Sequence, residues 1–218
     1  MGALTGSGTL FRGGRVTYAE VKENARGLLR PLAQYVADLG IPPTAITVAG
    51  LAFSVLAALS LGTGHFLRAA VLLVIAGVCD MIDGASARAG NRTSPRGAFL
   101  DSTIDRYSDA VVLLGAMHYY LVRAPGAPEV LTAGIVLVAL AGSMLTSYTR
   151  ARAESIGEDC RVGIAERSER MILLIVGAAF GHDVLRVALW LLATASHVTA
   201  IQRVRHIMAC SGRDRGLR

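Results

Sequence analysis

Four aspartates recur within 26 residues of a largely apolar chain: Asp80, Asp83, Asp101 and Asp105. In an α-helix, residues three or four positions apart lie on one face, so each pair shares the face of one helix. Asp109 lies one further turn along the second helix. Carboxylate oxygens are the ligands that hard divalent cations such as Mg²⁺ prefer. Two such cations held close together suit phosphoryl transfer, because they stabilise both the attacking and the leaving oxygen.

The sequence on either side of these acids is apolar. Residues 66–79 contain one charged residue, Arg68, and residues 110–117 contain none. An ionised carboxylate at membrane depth is costly unless it faces a wet cavity or holds a cation, so such acids indicate a functional site. The alternative is a set of interfacial acids paired with nearby arginines, namely Arg88, Arg92, Arg96 and Arg106. Four acids on two helix faces favour the functional interpretation.

Small residues accompany the acids. Gly84 and Ala87 lie on the same helix face as Asp80, so side-chain bulk is absent where a nucleotide would approach the backbone. Arg88 lies at the end of that helix, where it can contact a phosphate or extend to the membrane surface. Gly97 begins the second helix and allows it to pack closely on its neighbour. The alternative for both glycines is ordinary packing between membrane helices.

The composition favours a helical bundle in a bilayer, since 53% of the residues are hydrophobic and the mean hydropathy is +0.49. Six segments are candidates for membrane spans: 46–63, 67–87, 97–122, 130–151, 171–181 and 184–202. The fifth reaches spanning length only if Arg167, Glu169 and Arg170 lie on its first turns. We therefore predict an all-α integral membrane protein with six transmembrane helices.

The remaining segments predict a surface helix and two tails. We divide the chain into a disordered tail (1–16), an amphipathic interfacial helix (17–41), a transmembrane domain (42–207) and a C-terminal tail (208–218). The apolar face of the interfacial helix would consist of Leu28, Leu29, Leu32, Val36 and Leu39. The first forty residues show no signal peptide. The three cysteines are widely spaced without a CxxC motif, so we expect neither a disulfide nor a zinc site.

The basic residues are distributed unevenly between the predicted spans. Of 22 Lys and Arg residues, 18 lie before span one, between spans two and three, between spans four and five, or after span six. The opposite side holds Arg68, Arg123 and Arg186, and Arg106 lies within a span. Because positive charge stays in the cytoplasm, both termini and the aspartates are predicted at the cytoplasmic face of the cell (inner) membrane. Basic residues placed between apolar spans argue against a nucleic-acid partner.

The spacing of the acids and small residues resembles a known family signature. All eight fixed positions of the CDP-alcohol phosphotransferase motif are matched by Asp80-x2-Asp83-Gly84-x2-Ala87-Arg88-x8-Gly97-x3-Asp101-x3-Asp105. The start of the family's first span is similar to Pro43-x3-Thr47-x2-Gly50. The resemblance implies a homodimer of six-helix bundles, each with a polar cavity open to the cytoplasm. It also implies a reaction in which an acceptor hydroxyl attacks the β-phosphorus of a CDP-alcohol and CMP leaves.

The resemblance also implies roles for the motif residues. Asp80, Asp83 and Asp101 would ligate two Mg²⁺ ions, with Mn²⁺ as an alternative. Asp105 would complete the second metal site and act as the catalytic base, although two adjacent cations weaken a carboxylate as a base. The cytidine and phosphates of the CDP-lipid donor would be held by Pro43, Thr47, Gly84, Ala87, Arg88 and Gly97.

Four arginines near the cytosolic ends of spans four and five form a candidate acceptor site: Arg150, Arg152, Arg167 and Arg170. Arginine suits bidentate phosphate contacts. Arg150 with Glu154, and Arg170 with Glu166, are spaced to pair along a helix, which favours Arg152 and Arg167 as the free charges. Both stretches resemble the family branch that makes phosphatidylinositol phosphate, or its archaeal ether-lipid counterpart, from inositol 1-phosphate. A purely topological role for the arginines is the alternative.

Three other functions fit parts of the pattern. A glycerol 3-phosphate acceptor would also need an arginine cluster, so charge alone does not decide between the two acceptors. An intramembrane prenyltransferase uses Asp-rich Mg²⁺ sites too, but with two separate motifs and more spans. A cation transporter would need neither the arginines nor the small residues, and the chain shows no internal repeat of the kind that many transporters have.

The charge distribution predicts the topology. A reporter fused after Arg218 should lie in the cytoplasm, and one inserted at Pro128 should lie on the opposite side, because positive charge is retained inside. Labelling of both reporters from the same side of the membrane would contradict the six-span prediction.

Overall fold

The computed structural model describes residues 31–89, 94–124 and 126–214, apart from residues 32 and 37 and the side chains of 87–89 and 211–214. These ranges are helical and contain no strand, which confirms the predicted all-α class. The α-helices are α1 (Pro43–Gly62), α2 (Phe66–Ala89), α3 (Pro95–His118), α4 (Ala127–Ser155), α5 (Arg167–Ala179) and α6 (His182–Asp214). A π-helical turn, Tyr119–Arg123, continues α3.

Local sequence signals set the ends of these helices. Pro43 lies in the first turn of α1, where its missing N–H costs no hydrogen bond. Ser94 caps α3, because its hydroxyl accepts a hydrogen bond from the Gly97 N–H at 3.0 Å. Gly64 and Gly181 have φ angles of 82° and 90°, which glycine adopts without strain, and they lie in the short turns after α1 and α5.

The helices pack through small residues. Helix α1 contacts α2 and α3, α4 contacts α6, and α5 lies against α2 and α6. At the crossing of α1 and α3, a Cβ atom on Gly115 would lie 2.7 Å from the Cα of Ala58. Gly177 of α5 approaches α6 in the same way, because its Cβ would lie 2.8 Å from that of Ala188. Small residues at such crossings let helix backbones approach closely without a driving force from water.

Three of the described helices are long and apolar enough to cross a membrane: Pro43–Gly62, Ala127–Ser155 and His182–Cys210. Helices α2 and α3 carry the aspartates, which lowers their hydropathy. Helix α5 has 13 residues and is therefore about 20 Å long, shorter than a bilayer core of about 30 Å. The six predicted segments are all helices, and three of them have the composition of a span.

The structure describes the ends of the chain in part. The tail 1–16 and most of the predicted interfacial helix 17–41 lie outside the described residues. Within that predicted helix, residues 33–36 are described and are helical. Helix α6 continues past residue 207 to Asp214, so the start of the predicted C-terminal tail extends a helix instead. Continuation is possible because no proline follows and no glycine interrupts the helix before residue 212.

The crossing of α1 and α3 generates a stability prediction. Replacing Gly115 with Ala should lower the free energy of unfolding by about 1–3 kcal/mol, because the added methyl group forces the two helices apart. The matched control is Gly134→Ala on α4, where a Cβ meets no atom within 4 Å. That substitution should stabilise the protein by up to about 1 kcal/mol through helix propensity. Denaturant titration in detergent micelles measures both, and equal effects would contradict the tight crossing.

Candidate metal and phosphate site

Three of the four aspartates converge, one from α2 and two from α3. Asp80, Asp101 and Asp105 each offer a carboxylate oxygen, and these oxygens all lie within 4.8 Å of one another. Asp80 comes from the second half of α2, and the other two come from consecutive turns of α3. The helical spacing brings Asp101 and Asp105 to one face of α3, because they lie four residues apart. Three converging carboxylates can hold a divalent cation with a preference for oxygen ligands.

The fourth aspartate, Asp83, is held separately. Its carboxylate is buried and accepts a hydrogen bond of 2.7 Å from the hydroxyl of Thr47 on α1. The Thr47 oxygen also lies 3.1 Å from the Pro43 carbonyl oxygen of its own helix. Asp83 therefore lines the same pocket as Asp80 and Asp105 but is not one of the three clustered carboxylates.

Arg167, the first residue of α5, joins the two aspartate helices. Its Nη1 lies 2.8 Å from Asp80 Oδ2, and its Nη2 lies 2.9 Å from Asp105 Oδ1. A planar guanidinium presents several N–H groups in a fixed fork, so one arginine can bond two carboxylates at once. Arg167 therefore neutralises charge from both α2 and α3, and it connects the metal-type ligands to α5.

The fit of a cation to this site is supported by an orphaned oxygen. Asp101 Oδ1 is buried and has no hydrogen-bond partner in the described part of the chain. Buried polar atoms normally have a partner, because losing hydration without replacement is costly. A hard cation such as Mg²⁺ or Mn²⁺ would satisfy this oxygen, and Asp80 and Asp105 offer ligands beside it.

Asp109 and Arg170 form a second ion pair beside the cluster. Asp109 Oδ2 lies 3.0 Å from Arg170 Nη2, and Asp109 Oδ1 lies 3.8 Å from Arg167 Nε. Arg170 is buried and also donates to the Ala165 carbonyl oxygen at 3.1 Å. In the sequence, Asp109 carries no motif position. Its spacing of four residues from Asp105 is the signal that both lie on one face of α3.

Of the four arginines proposed from the sequence for an acceptor phosphate, Arg167 is the one that lines the aspartate pocket. Arg150 pairs with Glu154 at 2.9 Å, as the helical spacing predicted. Arg152 donates to Ser155 Oγ at 3.1 Å. Arg170 is held by Asp109 inside the bundle. Each of these three guanidiniums has a polar partner that does not line the aspartate pocket.

The residues proposed for the nucleotide are only partly described. Gly84 lies next to Asp83 on α2 and is half-buried, whereas the side chains of Ala87 and Arg88 lie outside the described residues. Gly97 lies in the first turn of α3, where its N–H is bonded to Ser94. Of the proposed nucleotide contacts on α2, the structure therefore describes Gly84, which is the one nearest to the aspartates.

The position of Arg167 depends on the loop of residues 156–166. The buried hydroxyl oxygen of Thr199 on α6 accepts hydrogen bonds from Ile164 N at 3.2 Å and Ala165 N at 3.0 Å. Arg203, one turn further along α6, donates to the Val162 carbonyl oxygen at 2.9 Å. These long-range bonds hold the chain just before α5 begins. They are contacts that sequence spacing does not reveal.

Comparison with known proteins gives consistent matches. The sequence model of the family described as CDP-alcohol phosphatidyltransferase matches residues 41–201. An archaetidylinositol phosphate synthase of Methanothermobacter thermautotrophicus is 36% identical over 187 residues, which cover 84% of this chain and 91% of the relative. A phosphatidylinositol phosphate synthase of Corynebacterium glutamicum is 39% identical over 189 residues, covering 84% and 85%.

Solved structures match the fold. A crystal structure of Mycobacterium tuberculosis phosphatidylinositol phosphate synthase with CDP-DAG bound has a TM-score of 0.73 and 33% sequence identity, and the match covers 81% of this chain and 91% of that one. The same enzyme in complex with manganese and citrate has a TM-score of 0.73 and 33% identity, with coverage of 80% and 86%.

The contacts of Arg167 predict an effect on metal binding. Arg167→Gln should tighten the binding of Mn²⁺ by about tenfold, or about 1.4 kcal/mol, because the guanidinium competes with a cation for Asp80 and Asp105. The fraction of free Mn²⁺ can be followed by its paramagnetic resonance signal. Arg150→Gln, which removes an arginine paired with Glu154, is the matched control and should leave the affinity unchanged. Weaker binding by the Arg167 variant would contradict this role.

Proposed function

Because the chain belongs to the CDP-alcohol phosphatidyltransferase family, we propose that it transfers a phosphatidyl-type group from a CDP-alcohol lipid to inositol 1-phosphate and releases CMP. The donor would be CDP-diacylglycerol or its ether equivalent, and the reaction would serve phospholipid biosynthesis. The observation that carries the proposal is the junction of Arg167 with the carboxylates of Asp80 and Asp105. It places an anion-binding group directly beside a cation-binding one.

The aspartates are proposed as the metal ligands. Asp80, Asp101 and Asp105 would hold one divalent cation, and Asp83 would contribute to a second from the same pocket. Bound Mg²⁺ or Mn²⁺ would neutralise the donor pyrophosphate and stabilise the departing phosphate oxygen of CMP. Two observations support this set: the orphaned Asp101 oxygen, and the manganese complex of the solved relative.

The protein's own groups would then orient the reaction. Thr47 holds Asp83 in one orientation through its 2.7 Å hydrogen bond. The acceptor hydroxyl attacks the β-phosphorus of the donor, a new P–O bond forms, and the bond from that phosphorus to the CMP oxygen breaks. The hydroxyl proton would pass to a carboxylate oxygen of Asp105, and CMP would leave with the bonding electron pair.

The nucleotide would lie along α2. Gly84, Ala87 and Arg88 remain the proposed contacts to the cytidine and its phosphates, because they follow the metal ligands on the same helix. Thr47 and Gly97 would support this surface indirectly, since the first bonds Asp83 and the second bonds the cap of α3. Pro43 would contribute indirectly, because it begins α1, the helix that carries Thr47.

Arg167 is proposed as the main contact for the acceptor phosphate. Its side chain is 22% exposed, so it reaches the pocket while remaining ordered by carboxylates on two helices. A phosphorylated polyol would bring an anion that can replace a carboxylate as the arginine's partner. Free inositol would gain nothing from this charge. Arg152, which is exposed at the end of α4, would contribute less.

We further propose that six helices cross the membrane as a multi-pass bundle, with both termini and the site in the cytoplasm. Because α5 has only 13 residues, its crossing would be completed by the loop of residues 156–166, which α6 holds through Thr199 and Arg203. Helices α2 and α3 have 24 residues each, enough to span, and the distribution of Lys and Arg favours this orientation. The transmembrane domain would comprise residues 42–207, preceded by the interfacial helix. A homodimer is the proposed assembly, on the resemblance to the family. The family match decides against a prenyltransferase or a cation transporter.

Removal of single carboxylates tests the metal site. Asp80→Asn, Asp83→Asn, Asp101→Asn and Asp105→Asn should each lower the rate of CMP release by at least about a hundredfold, because each removes charge that stabilises the transition state. The purified variants should stay folded in detergent. Asp183→Asn, at an exposed carboxylate in the first turn of α6, is the control and should keep full activity. Activity retained in two of the four variants would contradict the assignment.

A competition assay tests the acceptor. With inositol 1-phosphate, free inositol and glycerol 3-phosphate at equal concentrations, inositol 1-phosphate should be consumed fastest. Arg167→Gln should raise its KM by about tenfold to a hundredfold, since a charge-assisted hydrogen bond contributes about 1.5–3 kcal/mol. Arg161→Gln, in the preceding loop and exposed, is the matched control. Faster turnover of glycerol 3-phosphate would assign the chain to the phosphatidylglycerophosphate-forming branch.

A further inference from the structure

Asp109 connects α3 to both arginines at the start of α5. One of its oxygens lies 3.0 Å from Arg170 Nη2, and the other lies 3.8 Å from Arg167 Nε. Arg170 extends the connection by donating to the Ala165 carbonyl oxygen, two residues before α5 begins. We call these three groups, Asp109, Arg170 and the Ala165 carbonyl, the α3–α5 brace. Its members are separated by up to 61 positions in the sequence, so the brace is a tertiary contact.

The ion pair in the brace is largely shielded from solvent. Arg170 is 5% exposed and the side chain of Asp109 is 17% exposed, so solvent competes weakly for either charge. Removal of one partner from such a pair is unfavourable, because the other charge stays buried without compensation. A pair that is costly to break fixes the first turn of α5 relative to α3. Because Arg167 is the first residue of that turn, its backbone is fixed as well.

Asp109 itself lies outside the reacting groups. It is not one of the three clustered carboxylates, and it does not line the pocket that contains Asp80, Asp83, Asp105 and Arg167. Its contact with Arg167 is through Nε, at the inner end of the guanidinium, whereas the two outer nitrogens point to Asp80 and Asp105. The Nε contact is longer than a hydrogen bond, so Asp109 acts on Arg167 by charge attraction and by its hydrogen bond to Arg170, while the fork stays directed to the pocket.

We propose that Asp109 is a positioning residue for acceptor recognition, which acts by holding Arg167 in place through the α3–α5 brace. Arginine has high rotamer entropy, and a guanidinium that is ordered before binding loses less of it when the phosphate arrives. The inference rests on the proposed role of Arg167 as the acceptor-phosphate contact. A purely structural ion pair would lower stability without changing acceptor affinity through Arg167.

A double-mutant cycle separates these roles. Asp109→Asn should raise the KM for inositol 1-phosphate by about tenfold, while kcat and the KM for CDP-diacylglycerol change less than about twofold. The affinity for Mn²⁺ alone, read from its paramagnetic resonance signal, should stay within about threefold. Introduced into Arg167→Gln, the same substitution should add less than about twofold to the KM, because the residue it acts through is already absent.

Matched variants exclude an effect of stability alone. Glu129→Gln removes a carboxylate of similar exposure, 19%, which lies 3.7 Å from Arg186 on α6, and it should leave every kinetic constant unchanged. If Asp109→Asn does not fold, Asp109→Asn with Arg170→Gln replaces it, because that pair leaves no buried charge unpaired. The double variant should show the same rise in KM.

The outcomes distinguish this inference from the proposed function. If Arg167→Gln raises the KM for inositol 1-phosphate and Asp109→Asn does not, the positioning role is wrong and the proposed acceptor site stands. An equal rise on adding Asp109→Asn to Arg167→Gln also overturns it, since Asp109 then acts independently. If Arg167→Gln itself leaves this KM unchanged, the acceptor assignment fails, and the inference fails with it.

Discussion

The negative charge of the aspartates on α2 and α3 has to be compensated inside an apolar bundle, and Arg167 at the start of α5 compensates charge on both helices. Its guanidinium lies 2.8 Å from Asp80 and 2.9 Å from Asp105, so one side chain joins three helices. Unpaired carboxylates in such surroundings would be strongly unfavourable. The same charge makes the site suitable for a cation and for a phosphate, because both can replace a partner in this arrangement.

The rest of the bundle determines where Arg167 lies. Helix α5 is short, and the loop before it is held by α6, where Thr199 accepts two backbone hydrogen bonds. Asp109 and Arg170 hold the first turn of α5 from the other side. Small residues such as Gly115 and Gly177 let the helix backbones approach closely. The site thus depends on contacts from α1, α2, α3, α5 and α6, although the clustered carboxylates come from two helices.

The separation of Asp83 from the other aspartates has a consequence for the site. Its hydrogen bond with Thr47 directs the carboxylate toward α1, whereas Asp80, Asp101 and Asp105 converge with one another. The four acids of one motif therefore have two environments. Asp83 is buried and bonded to a hydroxyl, whereas the other three converge, and two of them, Asp80 and Asp105, contact Arg167. In the proposed two-metal site, Asp80, Asp101 and Asp105 would hold one cation, and Asp83 would contribute a ligand to the other.

The sequence by itself determined the helical class, the pairing of aspartates on two helix faces and the family, because each depends on spacing along the chain. It also predicted the pair of Arg150 with Glu154, which is local. Only the tertiary structure decided which arginine meets the aspartates and that Arg170 is bound to Asp109. Those contacts join residues of different helices, and several arginines could pair with the same aspartates. Helical periodicity gives the face on which a charge lies, whereas its partner is chosen by how the helices and the loop of residues 156–166 pack together.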